Sequence, residues 1–127
     1  MKKIIAILLL ILLLLTGCGK TEEKSLTYTQ ITQEEAKKMM DEQDVIILDV
    51  RELDEYNSGH ILNAVLLPVG TINEETAASV IPTKDTVVLV YCRSGNRSKT
   101  ASDALVQLEY TNVYEFGGIN TWQYEVE

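Results

Sequence analysis

The sequence predicts an α/β domain in which helices flank a mostly parallel, five-stranded sheet. Residues 45–48 and 86–91 form two continuous runs of apolar and β-branched side chains. Such runs are typical of strands that are buried on both faces of a parallel sheet. A helical pattern precedes the first run and another follows the second, with short links between them. This order of strand, helix and strand favours right-handed crossovers within one layered domain.

The first half of the predicted domain contains three strands and one helix. Thr32 and Glu35 fit a capping box, and the apolar stripe that follows them predicts a helix. In order, the elements are an edge-like strand at residues 26–31, this helix to about residue 42, a buried strand at residues 45–48, and a short strand at residues 64–67 that Pro68 closes.

The second half is built around the other apolar strand. Apolar residues recur at helical spacing after it, at Ala101, Ala104, Leu105 and Leu108. Gly117 and Gly118 allow a tight turn, and we expect Trp122 to pack as a lid or in the core from a final half-helix. The predicted elements are a weak helix at residues 71–80, the central strand at residues 86–91, a helix at residues 98–109, and a last strand at residues 113–116.

Cys92 ends the central strand, where a short polar loop leads into a helix. The loop consists of Arg93, Ser94, Gly95, Asn96 and Arg97, and Ser98 opens the helical pattern. Inward-pointing loop amides, the helix N-terminus and the two arginines would all favour thiolate over thiol. An ordinary buried cysteine is the alternative, but a core residue needs neither flanking arginines nor a glycine. The stretch therefore predicts a nucleophilic cysteine in an anion-binding loop.

Four segments resemble, in order, the motifs of rhodanese-like sulfurtransferases. The strand, Cys92, the short loop and Arg97 resemble the active-site loop of that family. The other three segments are Asp49-Val50-Arg51-Glu52, Gly59-His60-Ile61, and Gly117-Gly118 with Trp122. The resemblance covers residues 26–127 and implies a single rhodanese-like domain.

The resemblance implies a sulfur-transfer reaction at Cys92, which would become a persulfide. The sulfur would come from a small anionic donor such as thiosulfate and pass to a thiophilic acceptor such as cyanide or a thiol. The residues that would bind the substrate are those of the loop, Arg93 to Ser98. One histidine and one free cysteine argue against a metal site, and we expect no cofactor.

Polar residues also follow the second predicted strand, at the sheet edge where Cys92 ends its own strand. In the family that this sequence resembles, acidic residues here pair with arginines. The resemblance therefore implies that Asp49, Arg51 and Glu52 support the site. A solvated surface pair of Arg51 and Glu52 is the alternative. The acidic partner of Arg97 stays open among Asp49, Glu52 and Glu55.

The spacing between Cys92 and Arg97 separates two classes of reaction. Phosphatases and arsenate reductases of the same general architecture place their arginine one position further from the cysteine. The shorter loop makes a smaller cradle, which suits a terminal sulfur better than a bound phosphate. Sulfur transfer is therefore favoured over phosphatase or arsenate reductase chemistry. A non-enzymatic module that docks a partner, or senses oxidants through Cys92, is the second hypothesis.

His60 is the only histidine, so a Cys–His catalytic pair has to be considered. The resemblance argues against this pair, because the histidine of the Gly-His-Ile motif is a structural turn residue. The sequence departs from the family pattern in the next three residues, which are Leu-Asn-Ala instead of Pro-Gly-Ala. Asn63 tolerates left-handed backbone, so we expect the turn to survive.

The N-terminal segment predicts export and lipid attachment. Lys2 and Lys3 precede an apolar run at residues 4–15, which is shorter than the roughly 20 residues of a spanning helix and typical of a signal peptide. The run ends at Leu15-Thr16-Gly17-Cys18, which resembles a bacterial lipobox. An ordinary signal peptide or an uncleaved anchor is the alternative.

The lipobox resemblance implies a membrane-anchored extracytoplasmic protein. Residues 1–17 would be removed, Cys18 would carry lipid, and residues 18–25 would tether the domain of residues 26–127 to the membrane. Cys92 would then be the only free thiol, because the chain has two cysteines.

The charge balance restricts the kinds of partner. The chain carries a formal net charge of −8, and residues 1–17 contain two lysines and no acidic residue, so their removal makes it −10. An acidic surface argues against nucleic acid and against electrostatic docking on anionic lipid. We expect a monomer that contacts the membrane through its lipid.

Overall fold

The computed structural model describes residues 27–127. The predicted signal peptide, Cys18, the tether and Leu26 lie outside the described residues. The strands are β1 (Thr29–Gln30), β2 (Ile46–Asp49), β3 (Val65–Leu66), β4 (Val88–Cys92) and β5 (Val113–Gly118). The helices are α1 (Gln33–Glu42), α2 (Leu53–Asn57), α3 (Glu74–Val80) and α4 (Asn96–Gln107), with short 3₁₀ turns at Val69–Thr71 and Ile119–Thr121.

The five strands form one sheet in the order β1-β5-β4-β2-β3, and every neighbouring pair is parallel. The predicted five-stranded parallel sheet is therefore confirmed. β4 lies at its centre and is buried along its whole length. This burial explains its continuous apolar sequence, because helices cover both faces of the sheet.

Alternate residues of β4 point to two separate apolar cores. Val88, Val90 and Cys92 belong to the core that contains Ala77 of α3 and Leu105 of α4. Leu89 and Tyr91 belong to the core on the opposite face, with Ala36 of α1 and with Phe116. Cys92 therefore ends its strand on the side of the sheet that α4 covers.

The helices differ from the prediction in three places. The five-residue helix α2 follows β2 in a segment where no helix was predicted. Residues 71–80 were predicted as one helix, but Asn73 caps a helix that begins only at Glu74. α4 begins at Asn96 instead of Ser98, because Gly95 takes a left-handed conformation directly before it.

Several local predictions are confirmed. Thr32 caps α1, and its hydroxyl oxygen accepts a hydrogen bond from the backbone N–H of Glu35 at 3.0 Å. Asn63 has a φ of 70°, which is the left-handed conformation expected of it. Trp122 follows a 3₁₀ turn and packs against the core beside Phe116, with ring centroids 5.6 Å apart.

Within residues 27–127, no helix is both long enough and apolar enough to cross a membrane.

Candidate active site

Cys92 lies at the C-terminal end of the central strand, where ligand sites of parallel α/β sheets gather. It pairs with Gly118 of β5 across a local irregularity in the ladder. The residue is 1% exposed, so its thiol lies beneath the loop that follows it. Any group that reacts with the thiol must therefore pass this loop.

The loop wraps its backbone around the sulfur. The N–H of Gly95 donates to Cys92 Sγ at 3.1 Å, and Ser98 Oγ lies 3.4 Å from the same sulfur. Gly95 has a φ of 105°, a conformation that L side chains rarely adopt, and this lets the chain turn back over the sulfur. The cradle that the sequence predicted is thus formed by loop amides and a helix start.

These contacts lower the pKa of the Cys92 thiol below its usual value. Burial is the largest influence and acts in the opposite direction, because it disfavours the charged thiolate. It is outweighed by the Ser98 hydroxyl together with the backbone N–H groups of Ser98, Gly95 and Ser94. The sequence predicted that the positive charges of the two arginines would help to lower the pKa of Cys92. The groups that mainly lower it are instead neutral hydrogen-bond donors.

Arg97 is held by Glu55, which answers the question of its acidic partner. Its two terminal nitrogens lie 2.6 and 2.9 Å from the two carboxylate oxygens of Glu55, in a bidentate pair. The hydrogen bonds from Arg97 lower the pKa of Glu55 to about 2. The Arg97 charge is thus largely neutralised, and the pair fastens the start of α4 to α2.

Arg93 is the exposed cation of the loop. It lines a cavity of about 640 Å³ together with Arg51, Glu55 and Asn120. Within residues 27–127, no acidic group lies within ion-pair distance of Arg93. An anion that enters this cavity therefore meets the guanidinium of Arg93 beside the loop that covers the thiol.

Asp49 and Arg51 form a buried ion pair at the end of β2. Arg51 Nη2 lies 2.7 Å from Asp49 Oδ2 and also donates to the carbonyl oxygen of Gly59 at 2.8 Å. The Tyr91 hydroxyl donates to the same Asp49 oxygen at 2.6 Å. Because Tyr91 points away from Cys92, this network braces β4 from the opposite face of the sheet.

The other predicted site residues lie at the edges of this arrangement. Ser94 and Asn96 have exposed side chains, and Asn96 begins α4. Glu52 is exposed and caps α2, and its backbone N–H donates to Glu55 Oε1 at 3.1 Å. It therefore supports the site through the helix that carries Glu55.

Gly118 closes the site from below, but it does so from within β5, because the strand continues through the two glycines where a tight turn was predicted and the turn follows at Ile119–Thr121. A Cβ atom on Gly118 would overlap the carbonyl group of Arg93 and come within 2.6 Å of the Ser94 nitrogen. The N–H of Asn120 also donates to the carbonyl oxygen of Arg93 at 3.2 Å. The backbone at the end of β5 therefore supports the loop in close contact.

His60 takes no part in this arrangement and has structural contacts of its own. Its ring stacks on Tyr56 with centroids 3.8 Å apart, and Nδ1 lies 2.9 Å from the Tyr56 carbonyl oxygen. Nε2 lies 3.2 Å from Glu127 Oε1. These contacts agree with the expected structural role of the histidine in its turn.

Sequence reasoning missed one side chain of the site, Glu115. It is a buried carboxylate on β5, and its Oε1 accepts a hydrogen bond from Ser98 Oγ at 2.8 Å. A charged residue within the otherwise apolar pattern of the last strand was the available signal. Clusters of three or more His, Cys, Asp or Glu suited to a metal do not occur within residues 27–127.

A parallel sheet whose central strand ends in a cysteine, held by loop amides and a helix start, defines a class of cysteine-dependent domain. The chain belongs to the family of rhodanese-like domains, whose family model matches residues 32–125. The family expected from the sequence is therefore confirmed.

Several relatives have named activities. The chain is 35% identical over 97 residues to the thiosulfate sulfurtransferase GlpE of Coxiella burnetii, covering 76% of this chain and 88% of the relative. It is 35% identical over 72 residues to the thiosulfate sulfurtransferase PspE of Escherichia coli, covering 57% and 68% of the two chains.

Solved structures share the fold. The rhodanese-like domain of an Anabaena protein aligns with a TM-score of 0.71 at 26% identity, over 80% of each chain. A rhodanese with anions from E. coli aligns with a TM-score of 0.62 at 28% identity, over 66% of this chain and 98% of that structure.

Proposed function

We propose that this protein is a sulfurtransferase that carries sulfur as a persulfide on Cys92. The observation that carries the proposal is the set of hydrogen-bond donors that the loop places around Cys92 Sγ. These donors lower the pKa of the thiol, and among the described residues neither a histidine nor a metal ligand contacts it. The curated relatives named thiosulfate sulfurtransferases support the same chemistry.

The reaction divides into two displacements at sulfur. In the first, the Cys92 thiolate attacks the outer sulfur of thiosulfate, a bond forms between the two sulfurs, and sulfite leaves with the electron pair of the broken bond. In the second, a thiophilic acceptor attacks the outer sulfur, and the electron pair of that bond returns to Cys92 as thiolate. In each step the nucleophile supplies the electron pair of the new bond and the leaving group keeps the pair of the broken bond, so neither step requires a redox partner.

The loop residues would stabilise the anions in both steps. The backbone N–H groups of Ser94, Gly95 and Ser98 already act on the sulfur, so they require no rearrangement when its charge changes. Arg93 would orient the anionic donor from the wall of the adjoining cavity. Arg97, bound to Glu55, would hold the shape of the loop.

A cyanolysis assay tests the proposal. The full chain with Cys18→Ser is mixed in detergent with thiosulfate, its mass is measured, and thiocyanate is detected after cyanide is added. We expect a mass increase of one sulfur atom and the formation of thiocyanate. Cys92→Ser in the same background should show neither.

This assay, together with a test for hydrolysis of a phosphate monoester, separates the alternatives. A folded protein that gains no sulfur and forms no thiocyanate would contradict a thiosulfate-dependent enzyme and favour a binding or redox-sensing module. Hydrolysis of a phosphate monoester, lost in Cys92→Ser, would instead identify a phosphatase. We expect sulfur gain and thiocyanate formation, because the loop holds a single sulfur closely.

We further propose that the domain acts as a monomer at the outer face of a bacterial membrane, anchored through lipid on Cys18. The supporting observation is the apolar segment at residues 4–15 that ends in a lipobox-like sequence. Expression in a bacterium with a labelled fatty acid should label the chain, and Cys18→Ser should abolish the label while Cys92→Ser retains it. An unlabelled native chain would contradict the anchor.

A further inference from the structure

Glu115 is a buried carboxylate for which the proposed reaction has no use. It is 3% exposed, and its oxygens accept hydrogen bonds from neutral groups: the Ser98 hydroxyl at 2.8 Å, the Gly117 N–H at 2.9 Å and the Gln30 amide at 3.3 Å. Within residues 27–127, no cation lies within ion-pair distance of it. Burial without a counterion makes such a carboxylate a strong acceptor for the donors it has.

The Ser98 hydroxyl links Glu115 to the thiol. Ser98 is fully buried, and its oxygen lies 2.8 Å from Glu115 Oε1 and 3.4 Å from Cys92 Sγ. A hydroxyl has one hydrogen, so it can donate to only one of these two acceptors at full strength. In the thiol state both bonds form, because the S–H donates to Ser98 and Ser98 donates to Glu115.

Loss of the thiol proton creates a competition. The thiolate needs hydrogen-bond donors, and the Ser98 hydroxyl can turn to it only by leaving Glu115. We propose that Glu115 is a positioning residue that holds the Ser98 hydrogen and so limits how strongly the cradle stabilises the Cys92 thiolate. This inference deepens the proposed function and rests on it.

This competition for the Ser98 hydrogen affects the empty Cys92 thiolate and the Cys92 persulfide differently. A persulfide bears its negative charge on the outer sulfur, one bond further from Ser98, and its inner sulfur has little need of a donor. Ser98 can then remain on Glu115. By holding the Ser98 hydrogen, Glu115 therefore disfavours the empty thiolate more than the loaded persulfide, and it shifts the balance between them toward the loaded state.

Other charged groups surround the pair without replacing these contacts. Lys99 of α4 lines a cavity with Glu115, and the charges of Glu115 and Asp103 both raise the pKa of Tyr28, after the larger effect of burial. Arg93 and Arg97 lie on the loop side, where the Cys92 charge acts on Arg97. Within residues 27–127, none of these side chains hydrogen bonds to Ser98 or to Glu115.

The test is a titration of the thiol, which does not depend on sulfur transfer. The full chain with Cys18→Ser has Cys92 as its only thiol, and the ultraviolet absorbance of the thiolate is followed against pH. Glu115→Gln keeps the shape of the side chain and weakens its hold on the Ser98 hydrogen. We expect its midpoint to fall by about one pH unit, which is roughly tenfold more thiolate at a fixed pH below the midpoint.

Matched variants identify the route of the effect. Glu75→Gln removes the same charge from an exposed site on α3 and should leave the midpoint unchanged. Glu115→Asp keeps the charge but withdraws it from Ser98, so its midpoint should also fall. In a Ser98→Ala background, Glu115→Gln should shift the midpoint by less than half as much.

Two results would overturn the inference. One is a Glu115→Gln midpoint that is unchanged or higher, and the other is an equal shift with and without the Ser98 hydroxyl. The cyanolysis assay reports separately on the proposed function. A shifted midpoint in a protein that transfers no sulfur would leave the Glu115 contact valid and refute only the enzymatic role.

Discussion

At the scale of single residues, the thiol of Cys92 depends on close neutral donors more than on distant charge. Burial alone would raise its pKa, and the hydrogen bonds from Ser98, Gly95 and Ser94 reverse that effect. Two arginines follow the cysteine within five positions, but Arg97 is paired with Glu55. Of the two loop arginines, Arg93 is therefore the one that is available to bind an anionic donor.

Arg93→Ala should weaken donor binding more than catalysis. We expect the KM for thiosulfate to rise about three- to tenfold with a smaller change in kcat, because an ionic contact at an exposed site contributes about 1 kcal/mol. Steady-state kinetics at varied thiosulfate concentration measure both constants. Lys38→Ala, which removes an exposed positive charge from α1, is the control and should change neither.

A fall in kcat at unchanged KM would contradict this role. Arg93 would then act on the bond-breaking step instead of the approach of the donor.

The residues of the loop could be predicted from sequence because they are contiguous. Cys92, Gly95 and Ser98 lie within seven positions, so local spacing alone brings them together. Glu55 and Glu115 are distant in sequence from the residues they bind. Their pairing depends on the order of strands in the sheet, which residue spacing does not reveal.

At the scale of elements, the site depends on how β5 lies beneath the loop that follows β4. Apolar runs and capping signals predicted the strands and the long helices, because those patterns repeat over several residues. The helix α2 has only five residues and no buried side chain, so it leaves little periodic signal. It nevertheless carries Glu55 to Arg97.

Gly118→Ala should disrupt the loop. The added methyl group would overlap the carbonyl of Arg93, so either the loop or the end of β5 must move. We expect a loss of about 2 to 4 kcal/mol in the free energy of unfolding and at least a tenfold loss of sulfur transfer. Urea unfolding and the cyanolysis assay measure the two effects.

Gly70→Ala is the matched control, because no atom lies within 4 Å of the position of its added methyl group. It should retain stability and activity. If Gly118→Ala has the stability of the native protein, the prediction is contradicted, because the loop can then shift with little change in the free energy of unfolding.

At the scale of the whole molecule, two apolar cores enclose a central sheet, and the ends of its strands form the site. The fold class was predictable because strand, helix and strand alternate along the chain with short connections. The division into two cores follows from alternation along β4, as Val88 and Leu89 illustrate. The order of the strands was not predictable, because β5 inserts between β1 and β4.

The stability of the folded molecule should depend on Glu55 in a pH-dependent way. Its folded pKa of about 2 lies below the ordinary value of 4.5, so ionised Glu55 stabilises the fold at neutral pH. Glu55→Gln should lower the free energy of unfolding at pH 7 by about 1 to 2 kcal/mol, a range reduced for the partial exposure of the pair.

The difference between native protein and Glu55→Gln should be complete above pH 4.5 and decline as the pH falls toward about 2. Urea unfolding at several pH values measures it. Glu34→Gln, at an exposed position of α1, should show no such dependence. A constant difference across this range would mean that the charge of Glu55 is not the source of its contribution.

The close approach of Gly118 to the backbone of Arg93 also restricts how this loop can be redesigned. Inserting one residue between Cys92 and Arg97 would match the longer spacing of an oxyanion-binding loop, but the loop has no room to expand toward β5. Because Asn120 also holds the Arg93 carbonyl, the added residue would have to protrude into the cavity that Arg93 lines. An engineered change of substrate class would therefore need the end of β5 to be rebuilt together with the loop.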